Sequence, residues 1–158
     1  MGFVNVACAN DLVKRCLTTG CVFARSGGAV ACRAGTQSPT AQSLTEAKFI
    51  AAVTATKTAR CIRLVLSELG FKQTEPTPIC KDNKLTVDII ALQKPTEQTR
   101  HTDIQFFATQ DWVHLTQDML LSHTPGIPKP SNDPTKPLGR VAHERHARRI
   151  MGHHDSIK

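Results

Sequence analysis

The longest patterned segment of the chain, residues 43–69, predicts one long amphipathic helix. Ser43 and Glu46 have the spacing of a capping box at its start, and Gly70 is a natural stop at its end. Between them, apolar and small side chains recur at steps of three and four residues, which places them on one helix face. These residues are Ala47, Ile50, Ala51, Thr54, Thr58, Cys61, Ile62, Val65 and Leu69. The rest of the fold has to accommodate this helix.

Lys48 is the unexpected member of the segment, because it stands beside Phe49, Ile50 and Ala51, where the helix should turn inward. A lysine can pack its stem on a helix face and extend its ammonium group into solvent. That behaviour explains how Lys48 is tolerated but not why it stands at this position. The alternative is that Lys48 replaces a residue that took part in chemistry.

The composition indicates one compact domain that is strongly basic. The chain has 158 residues, of which 40% are hydrophobic, and tyrosine is absent. We therefore expect a core of Ala, Val, Ile and Leu. Twenty Lys and Arg against 13 Asp and Glu give a net charge of +7. This balance favours nucleic acid or another polyanion as partner, and the alternative is a basic protein without such a partner.

The absence of targeting signals from the sequence predicts an intracellular chain, cytoplasmic or nuclear. We expect it not to be secreted and to have no membrane partner. No apolar run approaches the ~20 residues that span a bilayer, and the amino terminus lacks the pattern of a signal peptide. Val6 also breaks the myristoylation pattern. In a reducing compartment we expect the six cysteines to be thiols, most of them small core residues. The absence of a C-x-x-C pair argues against a zinc ribbon or a redox motif.

Three β-prone segments precede the long helix. Residues 2–7 form a short apolar run, and residues 21–25 and 29–34 flank the turn sequence Ser26-Gly27-Gly28. The last two segments predict a hairpin, and the three together predict an antiparallel meander.

The segments after the long helix predict a mixed α/β domain. We expect a strand from Ile79 that ends at Asp82, helices at residues 84–92 and 102–115, and a strand at residues 119–123. Residues 124–139 contain five prolines and predict a loop, and a short frayed helix follows. Ligand chemistry in such sheets sits at the carboxyl ends of strands, so Asn5 and Asp82 are expected on neighbouring central strands.

Six segments in this order resemble the ribonuclease H domain of copia-type LTR-retrotransposon polyproteins. They are TTGCVF, SLTEAKFIAA, ARCIRLVLSELGF, PTPICKDN, RHTDIQFF and DPTKPLG. The resemblance implies an α/β ribonuclease H-like fold over residues 1–139, with a mixed five-stranded sheet flanked by helices. Residues 140–158 lie beyond the resemblance and form a basic tail. It also implies metal-dependent hydrolysis of the RNA strand of RNA–DNA hybrids. In the family, four carboxylates hold two magnesium ions.

Carried over position by position, the resemblance places the family's four carboxylates at residues 5, 48, 82 and 132. Only Asp82 is retained, because the other positions hold Asn5, Lys48 and Asn132. The four side chains then sum to no net charge, whereas the family's set carries four negative charges. An uncharged amide binds a hard cation weakly, and a lysine repels it. We therefore expect no magnesium to be bound here, with Asp82 as a metal ligand at most.

Two neighbouring acids are candidate replacements. Glu46 lies two residues from Lys48, on a different side of the helix, and capping is its expected role. Asp133 adjoins Asn132 in the proline-rich loop and is close enough in sequence to substitute for it. Neither replaces the carboxylate missing at Asn5. His123 is more simply a surface histidine than a residue that aids turnover.

The carboxy-terminal segment is a candidate for phosphate contact through Arg145, Arg148 and Arg149. His143, His146 and the pair His153-His154 also allow a transition-metal site on one helix face, a weaker hypothesis without a regularly spaced acid or cysteine.

Three functions follow from these patterns. The first is a catalytically dead, monomeric ribonuclease H-like domain that binds RNA–DNA hybrid or duplex weakly and without sequence preference, using Lys48 and the tail arginines. The second is an active nuclease with a rearranged site, and the third is a co-opted protein-binding scaffold. Each replacement needs a single G-to-A change in its codon, which is the pattern expected of a degenerate, truncated element copy.

Overall fold

A computed structural model describes residues 2–8, 17–37, 44–81, 83–91, 103–124 and 139–152. The strands are β1 (Gly2–Cys8), β2 (Leu17–Arg25), β3 (Gly28–Thr36), β4 (Thr77–Lys81) and β5 (Met119–His123). The helices are α1 (Leu44–Glu68), α2 (Lys84–Ala91), α3 (Asp103–Gln110) and α4 (Arg140–Ile150), and a π-helical turn (Asp111–Leu115) continues α3. The α/β class predicted from the sequence is confirmed.

The five strands form one mixed sheet in the order β3-β2-β1-β4-β5. β1, β2 and β3 are antiparallel neighbours, whereas β4 runs parallel to both β1 and β5. α1 connects β3 at one edge to β4 near the other and packs against β1, β2 and β4 on the way. The sheet therefore has an antiparallel half, built by local hairpins, and a parallel half that depends on the α1 crossover.

The β2–β3 hairpin confirms the predicted turn. Ser26 and Gly27 both have positive φ angles, of 50° and 91°, and Arg25 pairs with Gly28 across the turn. Two central residues with positive φ are typical of a type I′ turn, whose twist matches that of the flanking strands. Both strands extend beyond the predicted segments, because cross-strand pairing continues past the most apolar residues.

α1 is buried on two faces in its first half, so the single apolar stripe predicted from the sequence is wrong there. Phe49, Ala52 and Val53 pack with Ile90 of α2 on one face. On a second face, the small side chains at positions 51, 55 and 59 pack against a cluster from the sheet that includes Phe23. The prediction also fails in the second half, where Cys61, Val65 and Leu69 are exposed. The stripe is wrong in the first half because Ile90 of α2 and Val113 of the π-helical turn cover a second face of α1, in addition to the face that the sheet covers.

The core contains the expected alanine, valine and isoleucine side chains, together with aromatic and sulfur-containing ones. Its largest buried apolar side chains include Phe49, Phe23 and Met119, and it holds no leucine among the residues whose burial is described. Alanines line α1 at its contacts, so the helix approaches the sheet closely and aromatic or sulfur-containing side chains fill the remaining space. Of the four cysteines whose burial is described, Cys21 and Cys80 are buried, whereas Cys32 and Cys61 are exposed.

The ends of the elements follow local rules. Phe71 N–H donates to Leu66 C=O at 2.7 Å and Gly70 N–H to Ser67 C=O at 3.0 Å, with Gly70 at φ +85°. This pattern is a Schellman stop, and it confirms the predicted end of the long helix. Asn83 Oδ1 caps α2 by accepting a hydrogen bond from Thr86 N–H at 2.8 Å.

The remaining elements lie close to their predicted positions. β4 begins two residues earlier than expected, α2 and β5 lie where predicted, and the helix predicted at residues 102–115 is α3 with its π-helical turn. Most of the predicted proline-rich loop lies outside the described residues. Among the helices described, none combines the length and apolar character needed to cross a bilayer.

Candidate functional site

The candidate site lies where β1 and β4 run parallel, towards their carboxyl ends. Phe3 pairs with Cys80, and Asn5 is further along β1, with its backbone opposite Gly20 of β2. β4 ends at Lys81, immediately before the predicted carboxylate. Asp82, Asn132 and Asp133 lie outside the described residues, so the convergence of Asn5, Lys48 and Asp82 stays a prediction.

The first turns of α1 bring two predicted residues to this part of the fold. Glu46 is buried, with 3% of its surface exposed, and it has interactions within the protein, whereas Lys48 is half-buried. α1 packs against β1, so both residues belong to the helix that covers the strand carrying Asn5. Ser43, the other half of the predicted capping box, lies outside the described residues. The burial of Glu46 fits a structural role at the helix start better than a free metal ligand.

Gln37 fixes the start of α1 to the sheet and was not among the residues predicted from the sequence. Its side-chain amide donates to Thr19 Oγ1 at 2.6 Å and to Ala47 C=O at 2.9 Å, and its backbone N–H donates to Leu17 C=O at 2.7 Å. Gln37 is buried, so these bonds are shielded from water and hold the backbone next to Lys48 in place. A single glutamine after a strand carries no sequence signal for such a role.

Lys81 directly precedes the predicted carboxylate Asp82 in the sequence. It was not among the residues predicted for the site. Only 1% of its surface is exposed, and it has interactions within the protein. It lies opposite His123 of β5, and its C=O accepts a hydrogen bond from Thr124 N–H at 2.8 Å. A buried ammonium group has to be partnered, because its transfer out of water is costly. His123 itself is exposed and has interactions of its own.

No cluster of three or more His, Cys, Asp or Glu side chains suited to a metal ion occurs within the described ranges. A shifted pKa is found in the core, at Cys21, and not at the candidate site. Burial is the main cause that raises the pKa of the Cys21 thiol, and nearby Cys32 adds to it. Cys21 is therefore an unreactive core thiol rather than a nucleophile.

The carboxy-terminal segment forms α4, which packs against β3. Arg145 and Arg148 are exposed on this helix, and Arg148 has interactions within the protein. Arg149 lies in the same helix. His146 is buried and His143 is exposed, so the two histidines do not share one accessible face as the transition-metal hypothesis requires. Residues 153 and 154 lie outside the described part of the chain.

Large apolar side chains are exposed near the end of α1, the feature that would favour a protein-binding scaffold. Leu64, Val65, Leu69 and Phe71 are between 48% and 65% exposed. They surround the helix end on more than one side, as the separation of residues 64 and 65 on a helix requires. Nothing in the described structure covers them.

Comparison with known proteins relates the chain to a transposon. No profile of a known protein family matches it. Over 112 residues it is 30% identical to the "Retrovirus-related Pol polyprotein from transposon TNT 1-94" of Nicotiana tabacum. The match covers 71% of this chain but only 8% of that polyprotein. The chain is therefore related to a short segment of a retrotransposon Pol polyprotein, and this similarity supports a retrotransposon origin.

Proposed function

We propose that the chain is a catalytically inactive ribonuclease H-like domain of a copia-type Pol polyprotein that retains weak binding to nucleic acid. Two observations support the assignment to this domain. A mixed sheet of five strands flanked by helices is the architecture that the resemblance implies. The similarity to a Pol polyprotein is independent of that architecture.

The observation that carries the proposal of inactivity is Lys48. It is half-buried near the start of α1, the helix that packs on β1, at the position where the resemblance implies a metal-binding glutamate. At ~4 Å from a divalent ion, with an effective dielectric of ~20, a lysine ammonium would repel the ion by about 8 kcal/mol. The single retained carboxylate, Asp82, would attract the ion by about 8 kcal/mol at the same distance, so the two side chains together leave no net attraction for a divalent ion.

The donor set therefore does not fit a pair of magnesium ions. Asn5 and Asn132 offer uncharged amide oxygens, and Lys48 offers a cation instead of a ligand. The alternative of a rearranged active site requires Glu46 to leave a buried position. We accordingly assign no hydrolytic step to these residues.

Nucleic-acid binding in this proposal is electrostatic. The net charge is +7, and the exposed guanidinium groups of Arg145 and Arg148 lie on a helix docked to the sheet. Arg149 belongs to the same set. Lys48 would attract a phosphate where the family binds metal. Such contacts neutralise phosphates without reading bases, so the binding has little sequence preference.

The proposal is tested with an RNA–DNA hybrid cleavage assay in magnesium and in manganese. We expect no cleavage by the natural chain, and partial recovery when Asn5→Asp, Lys48→Glu and Asn132→Asp are combined. The matched control adds Asp82→Asn to that triple variant and should abolish the recovered activity. Cleavage by the natural chain that is lost in Asp82→Asn alone would show that the site is active.

Binding is tested separately by salt titration on hybrid, duplex and single-stranded probes. The logarithm of the affinity should fall with the logarithm of salt concentration by about 0.9 per phosphate contacted on duplex DNA. Deletion after Gly139 should lower this slope, and Lys48→Glu should weaken hybrid binding modestly. Undetectable binding at low salt would rule out the nucleic-acid role.

A further inference from the structure

A basic cleft lies beside the second half of α1, far along the helix from Lys48. Its volume is about 200 Å³, and its walls include Arg60, Arg63, Ser67, Lys72 and Asp118. Arg60 follows Lys48 by twelve residues, which corresponds to about 18 Å along a helix. The cleft is therefore separate from the vacated carboxylate positions.

Arg63 and Asp118 form a fixed, neutral wall of this cleft. Arg63 Nη2 donates to Asp118 Oδ1 at 3.0 Å and to Gln73 C=O at 2.9 Å. Its Nη1 donates to Glu75 C=O at 2.7 Å and to Thr77 Oγ1 at 3.1 Å. The second oxygen of Asp118 accepts a hydrogen bond from Thr116 Oγ1 at 2.9 Å. The carboxylate of the cleft is thus already paired and does not cancel the other cations.

Arg60 and Lys72 are the cations that remain. Neither takes part in the salt bridges formed among the described residues, and both are exposed. The Cζ atom of Arg60 lies 4.9 Å from the centroid of the Trp112 ring, a cation–π contact that steadies the guanidinium group. Stacking uses the face of a guanidinium, so its N–H groups remain able to donate to an anion. The Ser67 hydroxyl adds a neutral donor to the same cleft.

We propose that this cleft binds a phosphate group through Arg60, Lys72 and Ser67. Two cations and a hydroxyl around a small cleft suit an oxyanion with several acceptor oxygens. A nucleic-acid backbone and a small phosphorylated solute present the same group. The proposal does not depend on the vacated site, because none of its residues belongs to the positions predicted there.

The test uses the full chain and inorganic phosphate. Trp112 is the only tryptophan, so its fluorescence reports directly on the Arg60 side of the cleft. We expect a saturable fluorescence change on phosphate addition at constant ionic strength, and none with chloride. Calorimetry gives the affinity in the variants, because Arg60→Gln alters the surroundings of Trp112 by itself.

Arg60→Gln and Lys72→Gln should each weaken phosphate binding about tenfold, as expected for the loss of one charged hydrogen bond. Lys57→Gln is the matched control, since Lys57 is exposed on the same helix but does not line the cleft. Its affinity should equal that of the natural chain. Absence of saturable binding, or equal weakening in Lys57→Gln, would overturn the proposal. Circular dichroism of each variant verifies that the fold is retained.

A second arm identifies the source of the phosphate. If the cleft contacts nucleic acid, inorganic phosphate competes with an RNA–DNA hybrid, and Lys72→Gln lowers the salt slope of hybrid binding by about one. If the ligand is a small solute, hybrid binding is unchanged in Lys72→Gln while phosphate binding is weakened. If the chain binds phosphate but no hybrid, the proposed nucleic-acid role is contradicted, whereas the proposal of a phosphate site in the cleft is supported.

Discussion

The two halves of α1 have similar sequence patterns but opposite environments. In the first half, Phe49, Ala52 and Val53 are at most 1% exposed, and side chains on a second face are buried as well. In the second half, Leu64 is 60% exposed and Val65 is 48% exposed. The first half is held by apolar packing on two faces, whereas in the second half Ala59 and Ile62 pack on one face and Arg63 adds hydrogen bonds to the segment after the helix and to Asp118. Helical periodicity therefore predicts a helix but not how many of its faces are covered.

The largest expected effect comes from a pair of phenylalanine truncations. Phe49→Ala should lower the free energy of unfolding by about 3–5 kcal/mol, because it leaves a cavity between α1 and α2. Phe71→Ala, at a side chain 62% exposed, should change it by no more than ~0.5 kcal/mol. Urea denaturation of both variants measures the difference. Equal losses would mean that the end of α1 is packed as tightly as its start.

An intermediate effect is expected at the polar anchor of the second half. Arg63→Ala removes four hydrogen bonds and the salt-bridge partner of Asp118, so we expect a loss of about 2–3 kcal/mol. Arg140→Ala breaks the other described salt bridge, an exposed pair with Glu144, and should cost about 0.3–0.5 kcal/mol. Denaturation in low and high salt separates the two cases, because only the exposed pair is screened strongly. A negligible change in the free energy of unfolding for Arg63→Ala would contradict the anchoring role of Arg63.

The smallest expected effect concerns the reactivity of two cysteine thiols. It involves no change in the free energy of unfolding at neutral pH. Cys61, exposed on the second half of α1, should react with a thiol reagent more than about tenfold faster than Cys21, which packs against α1. Burial raises the pKa of the Cys21 thiol, so its thiolate remains scarce as the pH rises. Folding stability linked to Cys21 is complete below the pKa of the unfolded thiol and is lost as the pH rises through the higher pKa of the folded state. Mass spectrometry of timed labelling in native buffer identifies each site, and early labelling of Cys21 would show that the core opens readily.

Much of the fold could be predicted because its signals are local. The hairpin follows from Ser26-Gly27-Gly28 and the end of α1 from Gly70, and the cap that Asn83 provides at the start of α2 is equally local. Each of these residues acts on its own backbone or on neighbours within a few positions, so the prediction needs no knowledge of the rest of the molecule.

The candidate site was only partly predictable. The unusual lysine at position 48 is visible in the sequence, and Lys48 is half-buried in the folded chain. Gln37 and Lys81 could not be selected, because their burial and contacts arise from residues distant in sequence. The exposed Cys32 and Cys61 illustrate the converse error, in which a residue type usually found in cores lies on the surface.

The sequence by itself determined the order of strands and helices, the basic charge and the replacement of acidic residues at the positions implied by the resemblance. The tertiary structure alone decided which faces of α1 are covered, which cysteines are buried, and that Arg60, Ser67 and Lys72 line one cleft beside Asp118. The physical reason is the range of the interactions. Backbone preferences and charge are properties of short segments, whereas burial and the shape of a cleft depend on which segments pack together.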